Sequence, residues 1–211
     1  MLVVLQGLDT SGKDGTIEHV FTGVNPQGVS TVAFKAPTSA ELAHDYLWRV
    51  HDACPSRGRV GIFNRSHYED LVTVRVLGLV SAGVCRRRYR HVREFERMLT
   101  EEGTTMLKVF LLISKEEQAK RLQARLDNPE KRWKFQTSDL ATRERWAAYM
   151  EAYEEAIGKT STDWAPWYVV PADRKWVRNV AVAQLLVDTL ERLDPRYPEP
   201  KDDLSAIRID S

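Results

Sequence analysis

The residues with the clearest potential for chemistry lie near the start of the chain. Residues 7–16 read Gly-Leu-Asp-Thr-Ser-Gly-Lys-Asp-Gly-Thr and directly follow a short apolar run. Glycines at this spacing, followed by lysine, are typical of a loop whose backbone N–H groups surround phosphate oxygens. The pattern predicts a phosphate-binding loop, called the P loop below, in which Gly12, Gly15 and Thr16 contact phosphate and Lys13 carries the positive charge.

One position of the P loop departs from the usual pattern. The residue after the lysine is normally a Ser or Thr that holds magnesium, whereas here it is Asp14, and the nearest hydroxyl belongs to Thr16. The alternative interpretation is purely structural: Gly7 and Gly12 could simply supply the positive φ angles of a tight turn between a strand and a helix.

A second group of polar residues follows the third apolar run. Asn64 stands where phosphate-loop enzymes usually place a magnesium-positioning aspartate. Together with Asp9, the carboxylates Glu69 and Asp70 favour a hard cation, hence Mg²⁺ or Mn²⁺. Arg65 has the planar donors to bind a transferring phosphoryl group. Alternatively, Glu69 and Asp70 only stabilise the start of a helix.

A third, basic group comprises Lys131, Arg132 and Lys134 and joins two arginine-rich helical stretches. This helical hairpin, about residues 115–157, lies between the fourth and fifth apolar runs, where nucleotide kinases carry a lid. A basic lid closing over polyanionic substrates neutralises their charge and excludes water. The alternative is a solvated charged face.

The elements that must position these residues alternate along the chain. Five apolar runs, at residues 2–6, 29–34, 59–63, 105–113 and 167–170, read as strands. Helices are expected after the capping-box patterns at Thr38 (through Val50) and Ser114, from Ser138 onward, and over residues 177–193. The alternation predicts an α/β fold with a doubly wound, five-stranded parallel sheet. A loosely ordered tail is expected from residue 194 to 211.

Composition excludes several classes of function. The chain has 211 residues and a formal net charge of +1, so it lacks the basic field that marks nucleic-acid binders. No apolar run is long enough for a membrane span, and the first residues do not have the pattern expected of a signal peptide. Cys54 and Cys85 show neither metal spacing nor a disulfide framework, which favours the cytoplasm.

With these stretches in place, the chain resembles the second family of polyphosphate kinases, the polyphosphate:nucleotide phosphotransferases. The resemblance runs from about Leu2 to Leu193, in order. It is carried by the P loop and by four further stretches: Phe34-Lys35-Ala36-Pro37-Thr38, Phe63-Asn64-Arg65-Ser66-His67-Tyr68-Glu69-Asp70, Lys131-Arg132-Trp133-Lys134-Phe135, and Ala165-Pro166-Trp167-Tyr168-Val169-Val170-Pro171-Ala172-Asp173-Arg174-Lys175-Trp176.

The resemblance implies a single P-loop kinase domain over residues 1–193, with a helical lid inserted in the sheet. It implies a magnesium-dependent enzyme that transfers a terminal phosphoryl group from inorganic polyphosphate to a nucleotide. Asn64 with Glu69 and Asp70 is similar to the third class of the family, whose members accept nucleoside mono- and diphosphates. The resemblance also implies a homo-oligomer, either a dimer or a tetramer.

Residue roles follow from this resemblance as hypotheses. Asp9 and Asp70 would anchor the metal, with Glu69 as a third ligand, while Lys13 and Arg65 act on the phosphoryl group. Polyphosphate would contact Lys35, Arg75, Lys131, Arg132 and Lys134, and the nucleotide would contact Asn64, Glu69 and Lys175. Two rival interpretations stay open, namely an ATP-dependent kinase of the same fold and a non-catalytic sensor of nucleotides or polyanions.

Overall fold

The computed structural model describes residues 1–198, 200 and 208, and its centre is one parallel sheet. The five strands lie in the order β2-β3-β1-β4-β5. Their bounds are β1 Leu2–Gln6, β2 Val29–Ala33, β3 Val60–Asn64, β4 Met106–Leu112 and β5 Trp167–Pro171. All five predicted strands are therefore present, within two residues at each end.

The sheet is parallel because helices connect its strands. Their bounds are α1 Lys13–Val20, α2 Ser39–Leu42, α3 Trp48–Asp52, α4 Thr73–Val76, α5 Ala82–Glu101, α6 Lys115–Asp127, α7 Thr137–Glu144, α8 Trp146–Thr160 and α9 Lys175–Leu193, with 3-10 helices at Pro26–Gly28, His67–Asp70 and Arg132–Lys134. α1 packs against α9, whereas α8 packs against α4, α5 and α7.

The central strand β1 decides where the chemistry can occur. All five of its residues are buried, and it pairs with β3 on one side and β4 on the other, so that Leu5 lies opposite both Asn64 and Val109. Because the strands are parallel, the segments that follow β1, β3, β4 and β5 meet at one edge of the sheet. Ligands of open α/β sheets bind at this edge.

Two predicted helices are interrupted. The capping box of Thr38 and Glu41 is confirmed, but α2 ends at Leu42 and a separate α3 begins at Trp48. Asp45 causes the break, because its carboxylate accepts from the N–H of Leu47 at 2.9 Å and so competes with helical bonding. The stretch from Ser138 likewise divides at Arg145 into α7 and α8.

The predicted capping box at Ser114 is only half formed. The Ser114 hydroxyl accepts from the N–H of Glu117 at 3.1 Å, as expected of an N-cap. The N–H of Ser114, however, donates to Asp173 at 2.7 Å rather than to Glu117. This bond ties the start of α6 to the segment after β5.

The predicted tail begins where the last helix ends. α9 ends at Leu193, and Asp194 follows with φ 43°. The rest of the predicted tail falls largely on positions 199, 201–207 and 209–211, which lie outside the described residues.

Cys54 and Cys85 are free thiols. Among the helices of the described part of the chain, none has the length and apolar character needed to cross a bilayer.

Candidate active site

The P loop leaves β1 and enters α1 through three residues with positive φ. These are Gly7 at 147°, Thr10 at 63° and Gly12 at 99°. Gly7 is required by close packing as well, because a Cβ there would lie 2.7 Å from the main-chain oxygen of Leu111. The predicted turn of the loop is thus present, and the loop ends at the N-terminus of α1, where backbone N–H groups lack helical partners.

Lys13 is the first residue of α1 and folds back over the P loop. Its ammonium donates to the carbonyls of Gly7 at 2.6 Å and Leu8 at 3.2 Å, and the residue is 8% exposed. Burial, together with the nearby charge of Arg65, lowers the pKa of Lys13 to about 8, although Asp9 and Glu69 oppose the shift. The cation therefore lies inside the loop without a carboxylate within ion-pair distance in the described chain.

The remaining predicted P-loop residues differ in accessibility. Thr16 is fully buried, and its hydroxyl donates to the carbonyl of Gly12 at 2.9 Å, so it closes the first turn of α1. Gly15 lies in the same turn. Asp14 faces β3, where its carboxylate accepts from the amide of Asn64 at 2.6 Å. Asn64 is therefore engaged with the P loop.

A chain of opposite charges links the P loop to the segment after β3. The guanidinium of Arg65 lies 2.5 Å from the carboxylate of Asp9 and 3.7 Å from that of Glu69. Burial alone would lower the pKa of Arg65, but Glu69 and Asp9 together raise it above its ordinary value. Arg65 has φ 63°, an uncommon backbone conformation for a residue with a side chain.

A buried network holds Glu69 in place. Glu69 belongs to the 3-10 helix His67–Asp70, whose first two residues are almost completely buried. The Tyr68 hydroxyl donates to Glu96 at 2.7 Å, and Lys108 donates to Glu96 at 2.6 Å and to Tyr68 at 3.0 Å. These bonds join the 3-10 helix to α5 and β4, so the backbone that carries the Glu69 carboxylate is held in position.

Asp9, Arg65 and Glu69 line a cavity of about 330 Å³. The P loop forms one wall, and α4, α7 and α8 form the others through Thr73, Leu77, Gln136, Ser138, Asp139, Ala141, Thr142, Arg145, Tyr149 and Tyr153. A separate cavity of about 500 Å³ lies around Met1 and Gly103, at the opposite, amino end of the strands, where no predicted site residue is found.

Asp139 of α7 is a third carboxylate of the cavity and was not predicted from sequence. It is 7% exposed, and its side chain lies 3.4 Å from Arg125. Burial raises its pKa, and the negative charge of Asp9 raises it further. The helical hairpin after β4 therefore brings an acid to the cavity beside the P loop.

The predicted pair of Asp9 and Asp70 is not brought together. Asp70 lies between two arginines, 3.7 Å from Arg49 and 3.6 Å from Arg88, and it does not line the cavity. Burial raises its pKa, while Arg88 and Arg49 oppose that shift. The reason is local: in the tight 3-10 helix, adjacent side chains diverge, so Glu69 faces Asp9 and Asp70 faces α3 and α5.

Three further predicted residues lie outside the cavity. Arg75 is held by Glu155, by Glu151 at 3.0 Å and by the Tyr89 hydroxyl at 3.4 Å, so it links α4 to α8 and α5. Lys35 follows β2 and is exposed, as is Lys175 at the start of α9.

The tip of the hairpin carries the predicted basic group. Lys131, Arg132 and Lys134 are exposed in and beside a short 3-10 helix. Arg132 donates to the carbonyl of Leu126 at 2.8 Å, and the ammonium of Lys134 lies 5.1 Å from the centre of the Trp133 ring. The helices of the predicted hairpin are present, with this basic turn between α6 and α7.

Two arginines that contact the P loop were missed as site residues. They are Arg121 of α6 and Arg178 of α9. Arg121 donates to the carbonyl of Thr10 at 3.0 Å, and Arg178 to that of Ser11 at 3.3 Å. Nothing local in the sequence marks either contact, because both join distant segments of the chain.

Within the described residues, no three potential ligands among His, Cys, Asp and Glu form a preformed metal cluster. The carboxylates of Asp9, Glu69 and Asp139 line the same cavity at separate positions, with Arg65 and Arg145 as the cations. The donor set is therefore all oxygen and has an excess of acids. It suits a cation that is completed by substrate oxygens and water.

A parallel sheet with a P loop after its central strand defines this protein as an α/β P-loop kinase by fold. Comparison with known proteins gives the family. The model of the family "Polyphosphate kinase 2 (PPK2)" matches residues 1–198, so the chain belongs to the polyphosphate kinase 2 family.

Two curated relatives and one solved structure illustrate the similarity. The AMP/ADP-polyphosphate phosphotransferase of Meiothermus ruber is 61% identical over 95% of this chain and 75% of its own length. The ADP-polyphosphate phosphotransferase of Rhodopseudomonas palustris is 45% identical over 94% and 73%. The crystal structure of polyphosphate kinase 2 from Arthrobacter aurescens is 51% identical, with a TM-score of 0.94 over 97% of this chain and 72% of that one.

Proposed function

We propose that this chain transfers a terminal phosphoryl group, reversibly, from inorganic polyphosphate to nucleoside mono- and diphosphates, converting AMP to ADP and ADP to ATP. The observation that carries the proposal is the meeting of Lys13, Asp9, Arg65 and Glu69 where the P loop opens into the cavity. The acceptor range is supported by the Meiothermus ruber relative, whose name includes both AMP and ADP.

The chemistry asks mainly for positioning and for neutralisation of charge. Lys13 and the N–H groups at the start of α1 hold the phosphates that exchange the phosphoryl group. Arg65 stabilises the charge that spreads over the transferring group, for which its planar donors are suited. The attacking phosphate oxygen is already ionised, so no strong general base is required.

Magnesium is the cofactor we propose, with manganese as a substitute. Asp9 and Glu69 would hold it, because they line the cavity on either side of Arg65 whereas Asp70 is occupied by Arg49 and Arg88. When bound, the ion neutralises charge on the phosphate oxygens. Magnesium commonly takes one or two carboxylates and completes its coordination with water and phosphate, which fits this site.

Four exposed cations are proposed to bind the part of the polyphosphate chain that lies beyond the P loop. Lys35, Lys131, Arg132 and Lys134 have no ion-pair partner among the residues that the structure describes. They are therefore available to a polyanion that leaves the P loop. Lys175 and Asn64 are assigned to the nucleotide on the family resemblance.

The proposal also covers assembly and location. We expect a homo-oligomer, a dimer or a tetramer, which light scattering after size-exclusion chromatography measures. We expect the enzyme in the cytoplasm, where its two free cysteines would remain reduced. Fractionation of the source cells tests this location.

The test is a product analysis. The protein is incubated with polyphosphate, MgCl₂ and either AMP or ADP, without ATP, and nucleotides are separated by chromatography. We expect ADP and ATP from AMP, and ATP from ADP. Turnover only when ATP replaces polyphosphate would establish the ATP-dependent kinase instead, and nucleotide binding without any turnover would establish the sensor.

A further inference from the structure

Arg178 places a buried positive charge behind the P loop. It lies in the first turn of α9 and is 3% exposed. Its Nη1 donates to the carbonyl of Ser11 at 3.3 Å, and its Nε and Nη2 donate to the side chain of Asn179 at 3.1 and 2.8 Å. Both acceptors are neutral, so these bonds do not balance the charge of the guanidinium.

No carboxylate balances this charge within the part of the chain that the structure describes. Burial lowers the pKa of Arg178, and the neighbouring positive charge of Arg121 lowers it further. A guanidinium remains protonated nonetheless, because its ordinary pKa is far above neutrality. Buried charges are normally paired, since an unpaired one is costly to desolvate.

Arg121 approaches the same loop from α6 and connects it to a second segment. It donates to the carbonyls of Thr10 at 3.0 Å and Ser11 at 3.4 Å. Its other terminal nitrogen donates to the carbonyls of Ala172 at 2.8 Å and Asp173 at 2.7 Å. One side chain thereby fixes the P loop to the segment after β5.

The two arginines determine which backbone groups of the P loop remain for a ligand. Carbonyl oxygens repel phosphate, and the two arginines bind the carbonyls of the loop. The N–H groups at the start of α1 are left to face an anion. Arg178 also covers Gly12 so closely that a Cβ there would lie 1.7 Å from its Nη1. Gly12 is therefore required by this arginine as well as by its own φ.

We propose that Arg178, assisted by Arg121, is a positioning residue that fixes the P loop and supplies buried positive charge which bound phosphates balance. The inference rests on the proposed function, in that the anion is polyphosphate. In the free protein the unpaired charge of Arg178 is unfavourable, and phosphate bound in the loop offsets that cost in the complex. Arg178 contributes to binding without touching the substrate.

This role differs measurably from that of a structural arginine. If Arg178 only held the fold together, removing it would lower the melting temperature of the free protein. If it serves the anion, Arg178→Met keeps most of the length and apolar stem, leaves the free protein as stable or more stable, and weakens phosphate binding. Replacing buried charges by apolar groups of similar volume has this effect on stability in other proteins.

The experiment uses the full chain and Mg²⁺ with inorganic tripolyphosphate as the probe. Affinity is measured by calorimetry, and melting temperature is measured with and without tripolyphosphate. For Arg178→Met we expect about tenfold weaker binding and a smaller increase in melting temperature on adding the probe. Arg192→Met, an exposed position of the same helix, is the matched control and should bind as the parent does.

A second variant separates charge from fold. Arg178→Lys keeps the charge but loses the forked donors, so it should bind tripolyphosphate more tightly than Arg178→Met. The inference is overturned if Arg178→Met binds as the parent does, or if Lys and Met variants bind equally weakly. A parent protein that makes no nucleotide product from polyphosphate would instead refute the proposed function, which is a separate outcome.

Discussion

The two sides of the P loop are held by different kinds of interaction. On the side of α6 and α9, Arg121 and Arg178 bind main-chain carbonyls, and Gln118 adds a bond to the carbonyl of Asp9 at 3.2 Å. On the side of the 3-10 helix His67–Asp70, the loop faces an open cavity through Asp9, whose partner is Arg65. We call these the closed side and the open side.

The two sides differ in which of their contacts a substrate can replace. Bonds on the closed side join side chains to backbone, and a phosphate cannot displace a carbonyl from a guanidinium without disrupting the loop. On the open side, ion pairs join side chains to one another, so a metal or a phosphate can take the place of one partner. The closed side therefore fixes the shape of the P loop, whereas the proposed function requires the open side to exchange its contacts.

The largest expected effect is at Lys13, whose ammonium lies inside the P loop. Lys13→Ala removes the ammonium inside the P loop and should lower kcat/KM for polyphosphate by about a thousandfold, because this cation neutralises the exchanging phosphates. The variant should keep the far-UV circular dichroism of the parent. Lys120→Ala, an exposed lysine of α6, serves as the control and should retain full activity. Retained turnover in Lys13→Ala would break the assignment of the loop.

The next largest effect distinguishes Asp9 from Asp70, which the sequence predicts at one metal site. Asp9→Asn should reduce kcat by about a hundredfold or more and raise the magnesium concentration needed for half-maximal rate, since Asp9 lines the cavity. Asp70→Asn should keep kcat within about tenfold of the parent and lower the melting temperature by a few degrees, since Arg49 and Arg88 lose the negative charge of Asp70. The reverse order of effects on kcat would place the metal at Asp70.

A smaller effect is expected at Glu69, which tests whether the open side selects the acceptor. Glu69→Gln keeps the shape of the side chain and its bond from Thr73 but removes the charge. AMP brings fewer phosphate oxygens to a metal than ADP does, so its use depends more on a protein carboxylate. We expect kcat/KM to fall about tenfold more for AMP than for ADP. Equal losses for the two acceptors would assign Glu69 to phosphoryl transfer in general.

The comparison also explains which parts of the site could be read from the sequence. The P loop, the strands and the residues after β3 are each marked by local pattern: apolar runs give the strands, and Gly7, Gly12 and Lys13 give the loop. The closed side has no such mark, because Ser11 and Arg178 are 167 positions apart and meet only through the sheet order.

Asp70 shows a different limit. Its position one residue after Glu69 is visible in the sequence, yet the side to which it points depends on the 3-10 helix in which both residues lie. Asp139 shows a third case, because it lines the cavity only through the packing of α7 beside the P loop. In both cases the pattern gives the residue type, and the backbone path decides its partner.

The smallest effect is a dependence on pH that arises from the burial of Lys13 and from the nearby charge of Arg65. With its pKa lowered to about 8, Lys13 is charged at pH 7 and largely neutral at pH 9 in the free protein. Since the charged form binds anions, affinity for Mg-tripolyphosphate should fall by up to about tenfold across this range, and the loss should occur as pH rises. Calorimetry at constant ionic strength measures it. Lys13→Ala has no ammonium to titrate, so its weaker binding should vary less over the same range. An equal decline in both proteins would assign the dependence to a group other than Lys13.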